Sequence, residues 1–316
     1  MNSRIVVVAA ALTVAISQFS ACSNHQDQNM NNPVASVAQP LCVGRYVIDV
    51  PTPIAGFHLS QSFKDVDIEV QYPSNPAMLE AEIQKRVGEE KLHKKDGPIS
   101  EPNIGTPDAE IFVTQDTDNL FTVRGFTLKQ DTSFFLQVQA TKNYLDGAKI
   151  SVRQLLASII PRDPLSVPKE HGLCIDHGFI PGQYAGGERV TMTADLQKIN
   201  ASMTIMTNSE ANDSGGNILD RMSLLPLPLA NFISSNTTIV RRGNRSLAGR
   251  SGDEYGYVTK DDQSMSLQWS VQTGKDHAAE PMVEITLDTT TGLAETDRPA
   301  FLAVWDEILT SLKRRI

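Results

Sequence analysis

The densest group of side chains that could do chemistry lies between positions 171 and 177. It contains His171, Cys174, Asp176 and His177, which are four potential metal ligands within seven residues. Histidine nitrogens and cysteine thiolates are good zinc ligands, so one interpretation is a zinc site. The alternative is a surface turn before a strand, and we favour it because an oxidised Cys174 would offer no thiolate. We therefore predict no metal and no cofactor.

Motifs of the common enzyme classes are incomplete in this chain. The nucleophile elbow Gly-x-Ser-x-Gly is absent, because residues 249–253 lack the second glycine at the required place. Ser166 and Lys169 have the Ser-x-x-Lys spacing of penicillin-binding enzymes, but they lie in a proline-containing linker rather than on a helix. The sequence predicts a protein that is not an enzyme and that takes no small-molecule substrate.

The beginning of the chain has the pattern of an export signal. Arg4, an apolar run over residues 5–16 and the small residue before Cys22 are typical of a bacterial lipoprotein signal peptide. The apolar run is too short to span a bilayer. We expect lipidation of Cys22 and, because Ser23 rather than an aspartate follows, anchoring in the outer membrane on the periplasmic side. Secretion without a lipid is the alternative.

Cys42 and Cys174 are the other two cysteines of the chain. If Cys22 carries lipid, they form an even pair in an oxidising compartment, and we predict a disulfide between them. The bond would close a loop of about 130 residues, for which the chain-entropy model gives on the order of 4 to 5 kcal/mol. It would also join the beginnings of the two halves of the chain.

The length of 316 residues and the hydrophobic fraction of 40% favour two domains with real cores. Residues 1–22 are predicted to be the signal peptide and residues 23–40 a disordered polar tether. Residues 41–165 would then form an N-terminal domain. Residues 166–316 would form a C-terminal domain.

The elements that must position these residues follow a similar order in both halves. Each half begins with a cysteine-bearing strand; in the first, Tyr46, Ile48 and Val50 alternate with Arg45 and Asp49, which predicts a half-buried strand. The alternation is nearly ideal at Met265, Leu267, Trp269 and Val271, which are expected to face the core. Helices are expected from Pro76, over residues 152–160, over residues 218–225 and from Asp297.

We therefore predict an α+β fold of two tandem, similar modules. Each module would be an antiparallel sheet with helices on one face. Internal duplication is the hypothesis that would explain the shared order of elements.

The formal net charge of −9 argues against nucleic acid as a partner and against binding to anionic lipid surfaces. A protein partner is favoured, and contact with a membrane is expected through the lipid anchor only. Three polar loops are rich in glycine and aspartate, and they could enter a cleft of a partner without a packing role: residues 96–108, 182–188 and 209–216. The alternative, which we favour for any single loop, is a surface connection that contacts no partner. The sequence predicts no individual partner-binding residue.

Two stretches of the sequence resemble a known family. Residues 42–51 read Cys-Val-Gly-Arg-Tyr-Val-Ile-Asp-Val-Pro, and residues 172–178 read Gly-Leu-Cys-Ile-Asp-His-Gly. They are similar to the starts of the two domains of immunity proteins against type VI secretion phospholipase effectors, and the resemblance extends over residues 41–316. It implies a periplasmic protein that binds such a lipase as a two-domain clamp over the active-site region and protects the membranes of the producing cell.

Two other classes of function remain open at this point. One is a cell-envelope scaffold or assembly lipoprotein without a toxin partner. The other is a hydrolase whose site is assembled from residues scattered along the sequence. A neighbouring lipase gene would favour an immunity protein over a scaffold, whereas turnover of lipid or peptidoglycan by the purified protein would indicate a hydrolase.

Overall fold

The structure is a computed structural model that describes residues 38–93, 99–101, 109–210 and 235–315, together with position 219. The described residues group into one compact unit. The signal peptide with Cys22 and most of the predicted tether lie outside the described residues. The helix predicted over residues 218–225 also lies outside them, apart from position 219.

Strands dominate the described chain. They are β1 (Ala38–Val43), β2 (Tyr46–Pro51), β3 (Ile54–Phe63), β4 (Val66–Gln71), β5 (Ile99–Glu101), β6 (Ala109–Thr117), β7 (Leu120–Lys129), β8 (Thr132–Thr141), β9 (Ile160–Pro161), β10 (Gly172–Ile175), β11 (Gly178–Pro181), β12 (Arg189–Leu196), β13 (Ala201–Asn208), β14 (Thr237–Leu247), β15 (Arg250–Thr259), β16 (Met265–Val271), β17 (Met282–Thr289) and β18 (Lys313–Arg314). The helices are α1 (Pro76–His93), α2 (Leu145–Ser158) and α3 (Arg298–Ser311). None of the helices in this part of the chain combines the length and apolarity that a membrane span requires.

Twelve strands form one continuous sheet, in the order β14-β15-β16-β17-β13-β12-β3-β4-β8-β7-β6-β5. The sequence predicted a separate sheet for each half, whereas the structure joins the two halves where β3 pairs antiparallel with β12. Leu59 lies opposite Met192 across this junction, and both side chains are buried. Because a slip by one residue would turn such side chains to the other face, burial fixes the pairing register.

Each of two small sheets combines strands from both halves of the chain. Their strand orders are β1-β2-β18 and β10-β11-β9. In each sheet, the hairpin that begins one half pairs with the short strand that follows the closing helix of the other half. β18 follows α3 and pairs with β2, whereas β9 follows α2 and pairs with β11. This arrangement repeats in both halves, but it does not by itself show that one half was copied from the other.

The helices of the first half lie on opposite faces of the large sheet. Ile83 of α1 packs in a cluster with Phe126, whereas Val152 of α2 lies against Gly125. Gly125 and Phe126 are adjacent in β7, and successive residues of a strand point to opposite faces. The prediction of helices on one face is therefore wrong for this half, because β7 has apolar packing on both of its faces.

The observed starts of the helices agree with the predicted starts to different degrees. α1 begins at Pro76, as predicted, and α3 begins at Arg298, one residue after the predicted Asp297. α2 begins at Leu145, well before the predicted residue 152. Its fully buried residues start only at Val152, whereas Leu145 and Ala148 in the first turns are partly buried against the core, so the apolar pattern is weaker there.

A large hydrophobic core cluster extends through the described residues, and two small clusters lie beside it. Met265, Leu267, Trp269 and Val271 of β16 are all buried, as predicted from their alternation. The indole nitrogen of Trp269 donates a hydrogen bond of 3.0 Å to the carbonyl of Arg245. The polar group of this large side chain is therefore satisfied inside the core.

Gly125 allows α2 to lie directly on the sheet. A Cβ atom at this position would lie 2.5 Å from Val152 Cγ1 and 2.9 Å from Leu156 Cδ1. We expect Gly125→Ala to lower the free energy of unfolding by roughly 1–3 kcal/mol, because both neighbours are packed core side chains. Denaturant titration followed by circular dichroism measures this loss. Gly243→Ala in β14 is the control, since no described atom lies within 4 Å of the added Cβ; equal losses would contradict the packing explanation.

Candidate functional site

Cys42 and Cys174 form the disulfide that the sequence predicts, with their Cα atoms 5.9 Å apart. Cys42 lies in β1 and Cys174 in β10, so the bond joins the hairpins that begin the two halves. Next to it, the Gly44 amide donates to the Cys174 carbonyl at 3.2 Å, and the Cys174 amide donates to the Gly44 carbonyl at 2.9 Å. One covalent bond and two hydrogen bonds therefore hold the two hairpins together.

Arg315 closes over the disulfide. Its amide donates to the carbonyl of Arg45 at 2.9 Å. Its guanidinium Nη1 lies 3.2 Å from the sulfur of Cys42 and 3.3 Å from the sulfur of Cys174, while Nη2 donates to the carbonyl of Pro168 at 2.9 Å. Burial lowers the pKa of the Arg315 guanidinium, and the nearby positive charge of Arg45 lowers it further. A single side chain thus ties both hairpins to the loop between the halves, residues 162–171.

Arg162 also holds that loop, through hydrogen bonds to its backbone carbonyls. Its guanidinium donates to the backbone carbonyls of Cys42, Asp163, Pro164, Ser166, Ile175 and Gly178. A guanidinium has five N–H donors, and here all three of its nitrogens are engaged with carbonyl oxygens. Burial, followed by the charge of Arg315, lowers the pKa of Arg162 to about 10. The side chain therefore remains a cation at neutral pH.

Of the three polar loops that the sequence offers as candidate contacts, only residues 182–188 are described throughout. Residues 96–108 are described only at 99–101, and residues 209–216 only at 209 and 210. Arg45 enters the 182–188 loop and donates to the carbonyls of Gly182 and Gln183, each at 2.7 Å. The backbone of this loop is therefore held by a side chain from the first half of the protein.

A buried ion pair completes this connection. Arg45 Nε and Nη2 lie 2.9 and 2.5 Å from the two carboxylate oxygens of Glu188, and the side chains are only 4% and 6% exposed. The guanidinium also lies 4.8 Å from the ring centre of Tyr184, which contacts Arg314 at 4.7 Å as well. Alternation placed Arg45 on a solvated strand face, but it lies in the turn between β1 and β2 and points inward.

The structure does not assemble the four potential metal ligands into a metal site. Cys174 is oxidised, and His177 Nδ1 pairs instead with Asp176 Oδ1 at 2.8 Å. His171 contributes its backbone carbonyl, which accepts a hydrogen bond from the amide of Gly182. Within the described ranges, no group of three or more His, Cys, Asp or Glu side chains is arranged to hold a metal ion.

Ser166 has a structural partner that its Ser-x-x-Lys spacing did not suggest. Its hydroxyl donates to the carbonyl of Asp163 at 2.7 Å, and its amide donates to the same carbonyl at 2.9 Å. These bonds close the turn that Arg162 also holds. The serine therefore stabilises the loop between the halves.

Large apolar side chains are exposed on β9 and on the loop that follows it. Ile160, Leu165 and Val167 are 51%, 40% and 36% exposed, although the backbone around them is fixed by Arg162. Apolar groups that remain in contact with solvent on a rigid surface mark sites of protein interaction when they lie close together. Because these three residues lie within eight positions of one another, this segment is a candidate for a contact surface among the described residues.

The sequence matches two family models in consecutive positions. The N-terminal domain of Tle cognate immunity protein 4 matches residues 39–151, and the C-terminal domain of the same family matches residues 166–316. No curated protein is similar enough to count as a relative.

Solved structures of immunity proteins have the same fold. The apo immunity protein TplEi of the type VI secretion system from Pseudomonas aeruginosa aligns with a TM-score of 0.73 and 20% identity, over 88% of this chain and 97% of that chain. TplEi complexed with the "L" peptide gives a TM-score of 0.70 and 19% identity, over 88% and 98%.

A chain in the crystal structure of the Tle4-Tli4 complex aligns with a TM-score of 0.73 and 19% identity, over 88% of this chain and 97% of that chain. At these identities, the structural similarity establishes the fold, and the two domain models establish the family. Because those models together cover most of the sequence in the expected order, the chain belongs to the family of Tle cognate immunity protein 4, the two-domain immunity proteins of the type VI secretion system.

Proposed function

We propose that this protein acts in the periplasm, where it binds a type VI secretion phospholipase effector and blocks its access to membrane lipids. Membership of the family makes it an immunity protein that binds a Tle effector. The finer proposal is that both halves grip the effector over its active-site region. One of the similar structures is a complex of Tle4 with Tli4. It supports the proposal that this protein binds its effector as a stoichiometric partner and not as a substrate.

The observation that carries this proposal is the fixed connection between the two halves. A disulfide, a continuous sheet and two exchanged strands join them in the described part of the chain. Binding orders side chains and loops at a free-energy cost, and a surface that is already rigid loses less conformational entropy. A rigid body with contact surfaces on both halves is therefore suited to hold an enzyme in an inactive state.

The proposed place of action follows from chemistry as well as from the export signal. Disulfides persist in oxidising compartments such as the bacterial periplasm and are rare in the cytosol. The buried bond between Cys42 and Cys174 fits that compartment. The predicted lipid on Cys22 would hold the protein beside the phospholipids that the effector attacks.

We expect the protein without residues 1–22 to inhibit its cognate Tle phospholipase, which we also expect to be encoded beside its gene, at a one-to-one ratio. Fatty-acid release from phospholipid vesicles should fall linearly with added protein and reach background at equimolar amounts, because a blocker acts stoichiometrically. In cells that lack the immunity gene, the full chain should restore survival under attack by sibling cells, whereas the form without residues 1–22 should not.

Three results would contradict the proposal in different ways. Full phospholipase activity at a large excess of the protein would argue against an inhibitor and favour an envelope scaffold. Fatty-acid release by the protein alone would indicate a hydrolase. Protection by the form that lacks residues 1–22 would argue against action in the periplasm.

A further inference from the structure

A groove of about 530 Å³ lies where four loops of the fold meet. It is lined by Tyr72 after β4, by residues 130–132 around the turn between β7 and β8, by residues 161–164 at and after β9, and by His177 between β10 and β11. Its volume is in the range of a binding site for a few side chains. The groove adjoins the exposed apolar loop between the halves.

The loops that form the groove are bonded to one another. The Ser74 amide donates to the Asp131 carbonyl at 2.7 Å, and the Arg162 amide donates to the His177 carbonyl at 2.9 Å. The rings of Tyr72 and His177 stack with their centres 4.2 Å apart. The groove is therefore formed before any partner arrives, which reduces the ordering cost of binding.

The charges in the groove favour a cationic group. Arg162 is the only lysine or arginine among the lining residues, and its guanidinium is already engaged with six backbone carbonyls. It therefore has no donor left for a carboxylate or a phosphate of a ligand. Asp131 and Asp163 expose carboxylates in the same groove, and only Asp163 uses an oxygen locally, for the amide of Leu165 at 2.8 Å.

The groove also offers apolar contact beside these carboxylates. Tyr72 is 51% exposed although one side of its ring is stacked on His177, and Pro161 and Pro164 form part of the wall. A Lys or Arg side chain can bind over an aromatic ring while its charged end pairs with a carboxylate. Ile160 and Leu165 are exposed and are the chain neighbours of the lining residues Pro161 and Pro164, so an apolar neighbour of the bound Lys or Arg could cover one of them.

We propose that this groove binds a protruding segment of the cognate Tle effector that carries a Lys or Arg beside an apolar side chain. The proposal rests on the proposed function and deepens it, because it assigns a contact site where the sequence predicted none. Asp131 supplies the charge contact, Tyr72 supplies the aromatic contact, and Arg162 keeps the groove in shape.

The test compares groove variants with two matched controls in the protein without residues 1–22. Asp131→Lys and Tyr72→Ala change the groove. Asp118→Lys changes an exposed aspartate in the turn at the other end of β7, and Tyr144→Ala removes an exposed tyrosine outside the groove. Affinity for the phospholipase encoded beside the immunity gene is measured by calorimetry, and circular dichroism and melting temperature establish that each variant is folded.

We expect Asp131→Lys to weaken binding by roughly ten- to a hundredfold and Tyr72→Ala by roughly tenfold, with the controls within about threefold of the unaltered protein. Asp131→Asn should also reduce the dependence of the affinity on salt concentration, because it removes one charge pair. Unchanged affinity of folded groove variants would overturn this proposal alone. Absence of binding by the unaltered protein would overturn the proposed function and this proposal with it.

Discussion

Replacing Glu188 by alanine is expected to lower the free energy of unfolding by about 3–5 kcal/mol, the range for breaking a buried ion pair. The substitution leaves the guanidinium of Arg45 buried without its carboxylate partner. Both side chains are almost inaccessible to solvent, so water cannot replace the lost contact. Guanidinium chloride titration of the unaltered and substituted proteins measures the difference.

Two further variants distinguish the cost of an unpaired buried charge from the cost of the lost side-chain contacts. Replacing both partners, as Arg45→Met with Glu188→Leu, should recover part of the loss, because no unpaired charge then remains. Recovery should be incomplete, since Arg45 also holds the carbonyls of Gly182 and Gln183. Glu210→Ala removes a half-exposed partner of Arg189 and should cost less than about 1 kcal/mol. A loss of that size for Glu188→Ala would contradict the buried-pair account.

Loss of the disulfide is the second large effect. In protein without residues 1–22, replacing both Cys42 and Cys174 by serine should lower the free energy of unfolding by on the order of 4–5 kcal/mol, because the bond closes a long loop in the unfolded chain. The two cysteines are 132 positions apart. Equilibrium unfolding in guanidinium chloride, with and without a thiol reductant, measures the contribution of the bond.

The same experiment contains its own control. Reductant should destabilise the unaltered protein to the level of the serine variant, and it should leave the serine variant unchanged because no cysteine remains. A loss below about 1 kcal/mol would mean that the bond adds little to the hydrogen bonds between Gly44 and Cys174 and to the contacts of Arg315. Destabilisation of the serine variant by reductant would point to an effect unrelated to the bond.

The parts of the fold that the sequence predicts best are those with local patterns. β16 alternates without a break, and Pro76 begins α1 where a proline suits the first turn of a helix. The cysteine-bearing stretches also identify the family, because their residues lie together in the sequence. These patterns are complete within a few residues and need no information about distant partners.

The connection between the halves depends on elements that have no such pattern. β3 joins the two halves, but Gly56 has a φ of 55° and lies near a break in the pairing with β12, so the alternation is interrupted. The exchanged strands β9 and β18 are only two residues long. A period of two cannot be recognised over such a length.

The residues that fix the candidate site are missed for a related reason. Arg45 and Glu188 are 143 positions apart, and each is unremarkable in its own stretch of sequence. An arginine is normally expected on the surface unless it is paired. The one local signal is that Arg45 lies three residues after Cys42, for which the sequence predicts a disulfide.

The pairing of β2 with β18 also imposes an order of events during protein synthesis. β2 is made early, but its neighbour appears only after all of the intervening chain, from β3 to α3, has been added. At about 5–20 residues per second, a ribosome needs on the order of tens of seconds for this interval. Until then the β2 edge of the first hairpin has no strand to pair with. The three-stranded sheet β1-β2-β18 can therefore form only after the second half has been translated.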